Sequence, residues 1–503
     1  MTDPWYPEPA DEGGLDPVAI QTHVSLLVFA GDRAYKLKKA IRTAFLDFST
    51  PELRRKACER EVELNRRFAP DVYLGVASVL GPDGNICDSL VVMRRMPPET
   101  RLARLAADGD SEPCLEAVAE AVARLHRAAP TGPEIKREGT RDAVAARWEA
   151  NISQLKQFAP HLDDPSLPER VARLARNYLA GRGALFKRRI AEGRICDGHG
   201  DLLADDIYCL DDGPRILDCL EFDDRLRYVD VIDDAGFLAM DLERIAGAEV
   251  GERFLQAYQV ASGEEHPQSL SHHYRAYRAH VRAKVASMRF EQGDPPALVQ
   301  ATELLEIALR HLAAGQVALV LVGGLPGTGK STVARDLGED RGWMVLRSDE
   351  VRKEIAGVAR TSHGSAGYRQ GLYREEMTRA TYDALIERTR PLLQNGYSVV
   401  LDASWAFAGW RRKAEDLAHE CFAELVQIRC EVPAEVAEER LAIRARLGGD
   451  PSDATEAVAR AMAAEFDPWP DAESLSTSGD LPSTFDLAGQ ILSRKLSTGG
   501  RQS

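Results

Sequence analysis

The chain has 503 residues, which is too many for one ordinary hydrophobic core and predicts two or three domains. Hydrophobic residues make up 44% and charged residues 28%, a composition typical of globular proteins. The formal net charge of −15 counts against a broad surface for non-specific binding of nucleic acid. No apolar run approaches the ~20 residues that span a bilayer, and the acidic, proline-rich start does not resemble a signal peptide. We therefore expect a cytoplasmic protein without membrane contacts.

The first 314 residues mix strand-like and helical patterns. After a segment that is predicted to be disordered (1–15), two strands flank a Gly-Asp turn between Thr22 and Lys39, and Thr50 and Pro51 open a charged helix. The remaining predicted elements are strands at 72–79 and 89–93, helices over 114–190, short strands over 195–222 and helices over 231–313. This mixture predicts an α+β domain over residues 16–314.

The second half alternates strand and helix. Its apolar runs lie at 317–322, 343–346, 397–401 and 424–432, with helical stretches between them. This βαβ rhythm predicts an α/β domain with a parallel sheet and ligands at the carboxyl ends of its strands. We place this domain at 315–475, and the Ser-, Thr- and Gly-rich residues 476–503 are predicted to form a partly disordered tail.

The sequence GLPGTGKS lies between the first of these apolar runs and a helical stretch. This strand–GxxxxGK[ST]–helix order is typical of a phosphate-binding P-loop. Glycines let backbone N–H groups surround phosphate oxygens, Lys330 reaches the β- and γ-phosphates in a catalytic role, and Ser331 is a ligand for Mg²⁺. The predicted nucleotide-binding residues are Gly324, Leu325, Pro326, Gly327, Thr328, Gly329, Lys330, Ser331 and Thr332.

Two carboxylates follow later strands of the same domain. Asp349 comes just after the second strand, where it is predicted to accept a proton from an attacking hydroxyl, and Arg352 is predicted to hold an anionic group of the acceptor. Asp402 closes the strand YSVVLD, a Walker-B-like pattern that places a carboxylate near Mg²⁺. The alternative is a helix N-cap at Asp349 with a solvent-exposed Arg352.

Three arginines stand in the last helical stretch of this domain. Arg440 and Arg444 are four residues apart on one helix face, and Arg446 follows them before the sequence GGDPSDAT. Arginines on a lid stabilise transferring charge, and we predict that role for Arg440 and Arg444. The alternative is a solvated face paired with Glu438 and Glu439.

The motifs GLPGTGKS, SDEVRKE, VVLDAS and ERLAIRARLGGDPSDAT, in this order, resemble the small P-loop kinases that include polynucleotide 5′-hydroxyl kinases and zeta-type toxins. The resemblance covers about 316–470. It implies transfer of the ATP γ-phosphate to a hydroxyl with Asp349 as the base, and it does not identify the acceptor.

A second cluster of carboxylates lies upstream, within residues 196–224. Asp201 follows a His-Gly pair, Asp206 lies five residues later, and Asp218 and Glu221 come after a turn. Phosphoryl transfer requires one carboxylate near the acceptor hydroxyl and oxygen ligands for Mg²⁺. We predict that Asp201 is catalytic and that Asp206, with Asp218 or Glu221, binds the metal.

This segment resembles the catalytic loop of aminoglycoside phosphotransferase-like kinases, which reads HGDxxxxN. The match covers about 20–310 and implies a protein-kinase-like fold. It implies that Lys36 or Lys38, in AYKLKK, contacts the α- and β-phosphates and that Glu61 pairs with this lysine. The stretch YVDVIDDAGFLAMDLE resembles the acidic helix start that braces the catalytic loop in these kinases.

Two positions depart from that family pattern. Asp206 stands where the family has Asn, which keeps a metal ligand but adds charge and removes an amide donor. The first hairpin also lacks a glycine-rich phosphate loop. Further along, Arg275, Arg278, Arg282 and Arg289 form a basic stripe at helical spacing, which either receives an anionic acceptor or is a solvated or interdomain face.

Together these patterns predict an ATP- and Mg²⁺-dependent phosphotransferase that acts on a hydroxyl of a small molecule, with the P-loop domain as the surer catalyst. One alternative is a nucleotide-responsive regulator whose upstream domain is a degenerate binding module. Another is a nucleic-acid 5′-hydroxyl kinase, against which the acidic composition counts. A homo-oligomer is compatible with the sequence.

Overall fold

The computed structural model describes residues 18–21, 24–42, 47–358, 374–447 and 455–499. The chain divides into two compact units, which we call the upstream unit (Met1–Val144, Arg189–His266 and Tyr274–Leu304) and the P-loop unit (Ala145–Arg188, Pro267–His273 and Leu305–Ser503). The division therefore differs from the single boundary at residue 314 expected from the sequence. Residues 145–188 join the P-loop unit because they pack against it: the buried Arg182 donates hydrogen bonds to the carbonyls of Leu393 and, at 3.0 Å, Phe422.

The upstream unit holds an antiparallel sheet and a mainly helical part. Its strands are β1 (Val18–Gln21), β2 (Ser25–Ala30), β3 (Arg33–Lys38), β4 (Tyr73–Leu80), β5 (Ile86–Arg94), β6 (Ile195–Asp197), β7 (Ile207–Leu210), β8 (Gly213–Ile216) and β9 (Tyr228–Asp230). The helices that begin in this unit are α1 (Pro51–Asn65), α2 (Leu102–Asp108), α3 (Glu112–Ala128), α4 (Pro133–Glu138), α5 (Arg141–Leu155), α8 (Val231–Ala246), α9 (Ala248–Ser262) and α11 (Pro296–Ala314).

The order of strands in the upstream sheet is β1-β2-β3-β5-β4, and every pairing in it is antiparallel. Helix α1 starts as the sequence predicts, with Pro51 in its first turn and the Thr50 hydroxyl accepting a hydrogen bond from the Leu53 N–H. Its buried Cys58 and Val62 pack with Phe29, Tyr73 and other residues of the sheet. The α+β character predicted for this unit is confirmed.

The P-loop unit is built on a parallel sheet. Its strands are β10 (Ala318–Gly323), β11 (Met344–Arg347), β12 (Val399–Asp402), β13 (Glu424–Glu431) and β14 (Glu473–Ser476). The helices that begin in this unit are α6 (Leu167–Gly181), α7 (Gly183–Ala191), α10 (Gln268–Glu291), α12 (Lys330–Arg341), α13 (Ser348–Ile355), α14 (Glu375–Gln394), α15 (Ala408–Glu420), α16 (Ala434–Leu447), α17 (Glu456–Ala464) and α18 (Leu481–Gly499).

The strand order β11-β12-β10-β13-β14 places β10 in the middle of this sheet. All its pairings are parallel, and β10 to β13 lie where the four apolar runs predict them, so the α/β fold with a parallel sheet is confirmed. The last residues of β10, Val322 and Gly323, are fully enclosed, which brings the P-loop to the carboxyl edge of the sheet.

The expectation of a partly disordered tail from residue 476 is wrong for residues 476–499. Helix α18 buries Ala488, Ile491 and Leu492 in the same apolar cluster as Val320 and Leu337. Its Ser, Thr and Gly residues gave the segment a disordered composition, but its apolar residues recur on one helix face. No helix in the described ranges combines the length and apolarity that crossing a bilayer requires.

Candidate functional site

The P-loop bends through three glycines in the left-handed region. Gly324, Gly327 and Gly329 have φ angles of 137°, 85° and 81°. A Cβ atom on Gly327 would lie 2.7 Å from the carbonyl oxygen of Ala437, so this position has no room for a side chain. Helix α12 begins at Lys330, immediately after the loop, so the positive end of the helix dipole lies at the loop, as a phosphate site requires.

A hydrogen-bonded chain braces the loop from α16 and from the residue after β14. The Thr477 hydroxyl donates to the Thr328 carbonyl at 2.7 Å. Arg440 in turn donates to the Thr477 hydroxyl at 3.1 Å and to the Thr477 carbonyl at 2.7 Å. Sequence reasoning identified Arg440 but missed Thr477, because Thr477 belongs to a segment without a motif.

A cavity of about 290 Å³ opens beside the loop. It is lined by Gly327, Gly329, Lys330, Ser331, Thr332, Val333, Arg440, Leu441, Thr477, Leu481, Thr484 and Phe485. Five of the predicted nucleotide residues therefore share one concave surface with α16 and the start of α18. The apolar wall supplied by Leu481 and Phe485 was not predicted.

Asp402 lies at the end of β12, opposite Val322 of β10 and Arg347 of β11. Burial raises the pKa of its carboxyl group, and Lys330, Ser331 and Arg347 offset this effect only in part. Its Oδ1 atom is buried without a hydrogen-bond partner among the described residues, while Arg347 Nε lies 3.1 Å from Oδ2. A buried carboxylate oxygen next to the Ser331 hydroxyl fits a Mg²⁺ ion.

Asp349 lies in the first turn of α13, one strand away from Asp402. Its carboxylate is 18% exposed and accepts a hydrogen bond from Arg352 at 2.9 Å. Arg352 is buried, so the alternative of a solvent-exposed arginine is wrong. The structure therefore holds the predicted base and its neighbouring arginine as one ion pair.

The remaining two arginines of this stretch, Arg444 and Arg446, follow Arg440 on α16. Arg446 is exposed, and the side chain of Arg444 lies outside the described residues, as does the sequence 448–454 that follows it. On the same helix, Glu438 pairs with Arg460 at 2.8 Å, not with Arg440. The lid role of Arg440 and Arg444 stays a prediction.

In the upstream unit, Asp234 of α8 holds the backbone that precedes Asp201. It accepts hydrogen bonds from the N–H groups of His199 at 2.6 Å and Gly200 at 2.9 Å, and its Oδ2 atom lies 3.2 Å from His126 Nε2. Burial opposes ionisation of Asp234, but the hydrogen bond and charge of His126 outweigh it and hold the pKa of this carboxyl well below its usual range. The acidic helix start predicted to brace the catalytic loop therefore does so through Asp234.

Helix α10 supports the same loop from another side. Arg278 donates to the Gly200 carbonyl at 2.9 Å and lies 2.6 Å from Asp233. Arg275 pairs with Glu243 and Glu252, and both arginines are buried. A solvated face is therefore wrong for these two residues of the predicted basic stripe.

Both candidate lysines of β3 contact Glu61 of α1. Lys36 Nζ lies 3.0 Å from one carboxylate oxygen and Lys38 Nζ lies 2.6 Å from the other. They reach the same carboxylate because residues two apart on a strand point to the same face. Burial opposes ionisation of Glu61, and the charges of Lys36 and Lys38 outweigh it, so the pKa of this carboxyl is lowered.

The two candidate metal carboxylates separate in the structure. Asp218 pairs with Lys36 at 2.6 Å and faces a cavity of about 500 Å³, whereas Glu221 pairs with Lys38 away from that cavity. Asp218 has a φ of 61°, and its N–H donates to the Tyr73 hydroxyl at 3.0 Å. The geometry favours Asp218 over Glu221 as a ligand that faces the cavity.

This cavity brings together the predicted catalytic groups with an apolar wall. It is lined by Ile20, Val24, Leu27, Phe29, Ala34, Lys36, Val72, Tyr73, Met93, Arg94, Met96, Arg101, Asp201, Leu203, Asp205, Asp206, Tyr208, Leu217, Asp218 and Arg282. Burial, with the charges of Asp218 and Asp201, raises the pKa of Asp206 well above its usual value. The carboxylates of Asp206 and Asp218 share one cavity and repel each other. Such a pair fits a bound cation, which would remove the repulsion.

Comparison with known proteins follows the division of the chain. Residues 29–273 match the phosphotransferase enzyme family, and residues 319–469 match an AAA domain family. Uncharacterized proteins of Mycobacterium tuberculosis and Mycobacterium bovis are 43% identical over 460 residues, which are 91% of this chain and 92% of theirs. The chain belongs to their family. This chain joins an aminoglycoside phosphotransferase-like domain to a P-loop kinase-like domain.

Two solved structures are similar to part of this chain. A choline/ethanolamine kinase family protein of Mesorhizobium loti is 15% identical, with a TM-score of 0.36, and the match covers 59% of this chain and 92% of that one. A gluconokinase of Sinorhizobium meliloti is 17% identical, with a TM-score of 0.29, and the match covers 37% of this chain and 98% of that one.

Proposed function

We propose that the protein transfers the γ-phosphate of ATP to a hydroxyl group of a small molecule, with Mg²⁺, and that the P-loop unit is the main catalyst. The observation that carries this proposal is the convergence of Lys330, Ser331 and Asp402 at the carboxyl ends of β10 and β12. Both domains are kinase-like, which supports phosphoryl transfer in general. The class of acceptor and the assignment of the reaction to the P-loop unit are both parts of this proposal.

Each residue has a distinct role in this mechanism. The loop N–H groups and Lys330 hold the phosphates, while Ser331 and Asp402 are the residues that would hold Mg²⁺, and that ion would neutralise charge on the transferred group. Asp349 takes the proton of the acceptor hydroxyl, and Arg352 keeps its carboxylate in place. Arg347 contacts the Oδ2 atom of Asp402, which leaves the Oδ1 atom for the metal.

The test is ADP release from ATP and Mg²⁺ with a library of hydroxylated metabolites. We expect an acceptor-stimulated rate that falls by about 10²–10³-fold in Lys330→Ala. Lys413→Ala is the matched control, because Lys413 is a half-exposed lysine of the same unit that pairs with Asp383. An unchanged rate in Lys330→Ala, with loss of turnover in Asp201→Asn, would transfer the chemistry to the upstream unit.

A second phosphotransferase centre in the upstream unit is favoured by one specific observation. A single cavity presents Lys36, Asp201, Asp206 and Asp218 beside an apolar wall that suits a nucleotide base. Asp201 is the proposed base, and burial raises the pKa of its carboxyl above the ordinary value, which improves it as a proton acceptor near neutral pH. ATP bound by this unit without turnover of any acceptor would instead support the regulatory alternative.

A further inference from the structure

Among the arginines of α10, Arg282 is the one that forms no salt bridge with any described residue. Arg275 and Arg278 pair with buried carboxylates, and Arg289 pairs with Asp294. Arg282 makes no salt bridge within the part of the chain that the structure describes, and its side chain lines the cavity of the upstream unit. The hydrogen-bond donors of its guanidinium therefore face a ligand in that cavity.

The position of Arg282 follows from the anchoring of α10. Arg278 is fixed to the Gly200 carbonyl and to Asp233, and Arg282 lies one helical turn further along the same face. Since Gly200 directly precedes Asp201, this register sets Arg282 beside the proposed base. The pKa of Asp201 agrees with this placement. Burial raises it, and the charge of Arg282 is the largest of those that offset this rise.

The aspartates that line the cavity explain why an acidic acceptor would need a cationic partner there. Asp201, Asp205, Asp206 and Asp218 all face the cavity, and bound ATP adds further negative charge. An acidic acceptor would be repelled from such a site unless a cation received its charged group. Arginine is suited to that task because its guanidinium donates two parallel hydrogen bonds to a carboxylate or a phosphate.

We infer that Arg282 binds the oxyanion of an acidic hydroxyl acceptor, so that the upstream unit phosphorylates a small molecule carrying a carboxylate or a phosphate. This inference rests on the proposed second phosphotransferase centre. The acceptor oxygen bonds to the γ-phosphorus while its proton passes to Asp201. The bond between that phosphorus and the β,γ-bridging oxygen breaks, and ADP leaves with the electron pair.

The experiment uses the full chain with the Lys330→Ala substitution, which removes turnover by the P-loop unit. Two carboxylates, gluconate and glycerate, are compared with their neutral partners glucose and glycerol. Glycerol 3-phosphate is also compared with glycerol, so that recognition of a carboxylate and of a phosphate are measured separately. Acceptor-stimulated ADP release and binding by calorimetry are measured for Arg282→Gln, for Arg282→Lys and for the control Arg289→Gln on the same helix. Thermal unfolding of each variant verifies that it is folded.

We expect the protein to prefer an acidic member over its neutral partner. Arg282→Gln should raise KM and weaken calorimetric binding of that acidic compound by about 10- to 100-fold, with kcat within about 3-fold, and Arg282→Lys should restore part of the loss. Arg289→Gln should leave both values unchanged.

Three results would overturn the inference. One is equal use of acidic and neutral partners, and another is an equal fall of kcat for both in Arg282→Gln, which would mean that Arg282 acts only through Asp201. The third is calorimetry in which no acidic compound binds in an Arg282-dependent way. Failure of the second catalytic centre is recognised separately, as ADP release that is absent or insensitive to Asp201→Asn while acidic compounds still bind through Arg282.

Discussion

Lys38 Nζ lies 2.6 Å from Glu61 Oε2, and both side chains are almost completely buried. The same carboxylate also receives Lys36 at its other oxygen. The carboxylate of Glu61 therefore bridges two ammonium groups, each of which also has a second carboxylate partner, Asp218 for Lys36 and Glu221 for Lys38. Removing one partner of a buried ion pair is costly because the remaining charges lose their compensation.

Glu61→Gln should lower the free energy of unfolding of the upstream unit by about 1–3 kcal/mol, because Lys36 and Lys38 lose the buried carboxylate that they share and keep only Asp218 and Glu221 as ionic partners. Urea unfolding at neutral pH, followed by circular dichroism, measures the change. Glu63→Gln is the control, since Glu63 of the same helix is exposed and pairs with Arg60, and its loss should cost at most about 1 kcal/mol. Equal effects of the two substitutions would contradict the importance of the buried cluster.

The charge of Asp234 should make the stability of the protein depend on pH. The pKa of this carboxyl is lower in the folded chain than in the unfolded chain, so its contribution is fully present above the unfolded value of about 3.9 and is lost as the pH falls through the folded value. Asp234→Asn should therefore be less stable than the wild type at pH ~7, and the difference should shrink below pH ~4. Urea midpoints measured across this range give the comparison.

Leu238→Ala provides the matched control for this pH dependence. Leu238 is buried on the same helix and carries no titratable group, so its destabilisation should stay constant across the range. A gap between wild type and Asp234→Asn that is equally constant would show that Asp234 acts by packing and not by its charge.

The carboxyl edge of the P-loop sheet was largely predictable from sequence, and its side-chain pairs were not. The apolar runs and GLPGTGKS predict where β10 ends and where Lys330 stands, because both signals are local. The pairing of Arg347 with Asp402 depends on the register between β11 and β12, which brings together residues 55 positions apart. In the same way, local reasoning left Lys36 and Lys38 as alternatives, and only the position of α1 shows that both contact Glu61.

Leu492→Ala should destabilise the P-loop unit by about 2–5 kcal/mol, because Leu492 is completely buried among residues of the parallel sheet. Leu487→Ala on the same helix should cost less than about 1 kcal/mol, since Leu487 is 42% exposed. Chemical unfolding of both variants decides the question. Similar small losses would restore the view of this segment as a loosely attached tail.

Arg440→Lys should weaken ATP binding by about 10-fold, because lysine has one donor nitrogen in place of the two that contact the hydroxyl and the carbonyl of Thr477, and the brace on Thr328 loosens. Calorimetric titration of ATP with Mg²⁺ provides the affinity. Arg460→Lys is the control, because Arg460 is an exposed arginine of the same unit that pairs with Glu438 and Glu456. An unchanged affinity in Arg440→Lys would mean that the loop keeps its shape without the brace.

The wall of the P-loop cavity joins residues 327–333 to residues 477–485. During synthesis, the glycine loop leaves the ribosome some 150 residues before the segment that completes its pocket. A nascent or truncated chain that ends before Thr477 carries the whole GLPGTGKS motif but lacks one side of the cavity. We therefore expect fragments that retain the motif but end before Thr477 to be inert toward nucleotide.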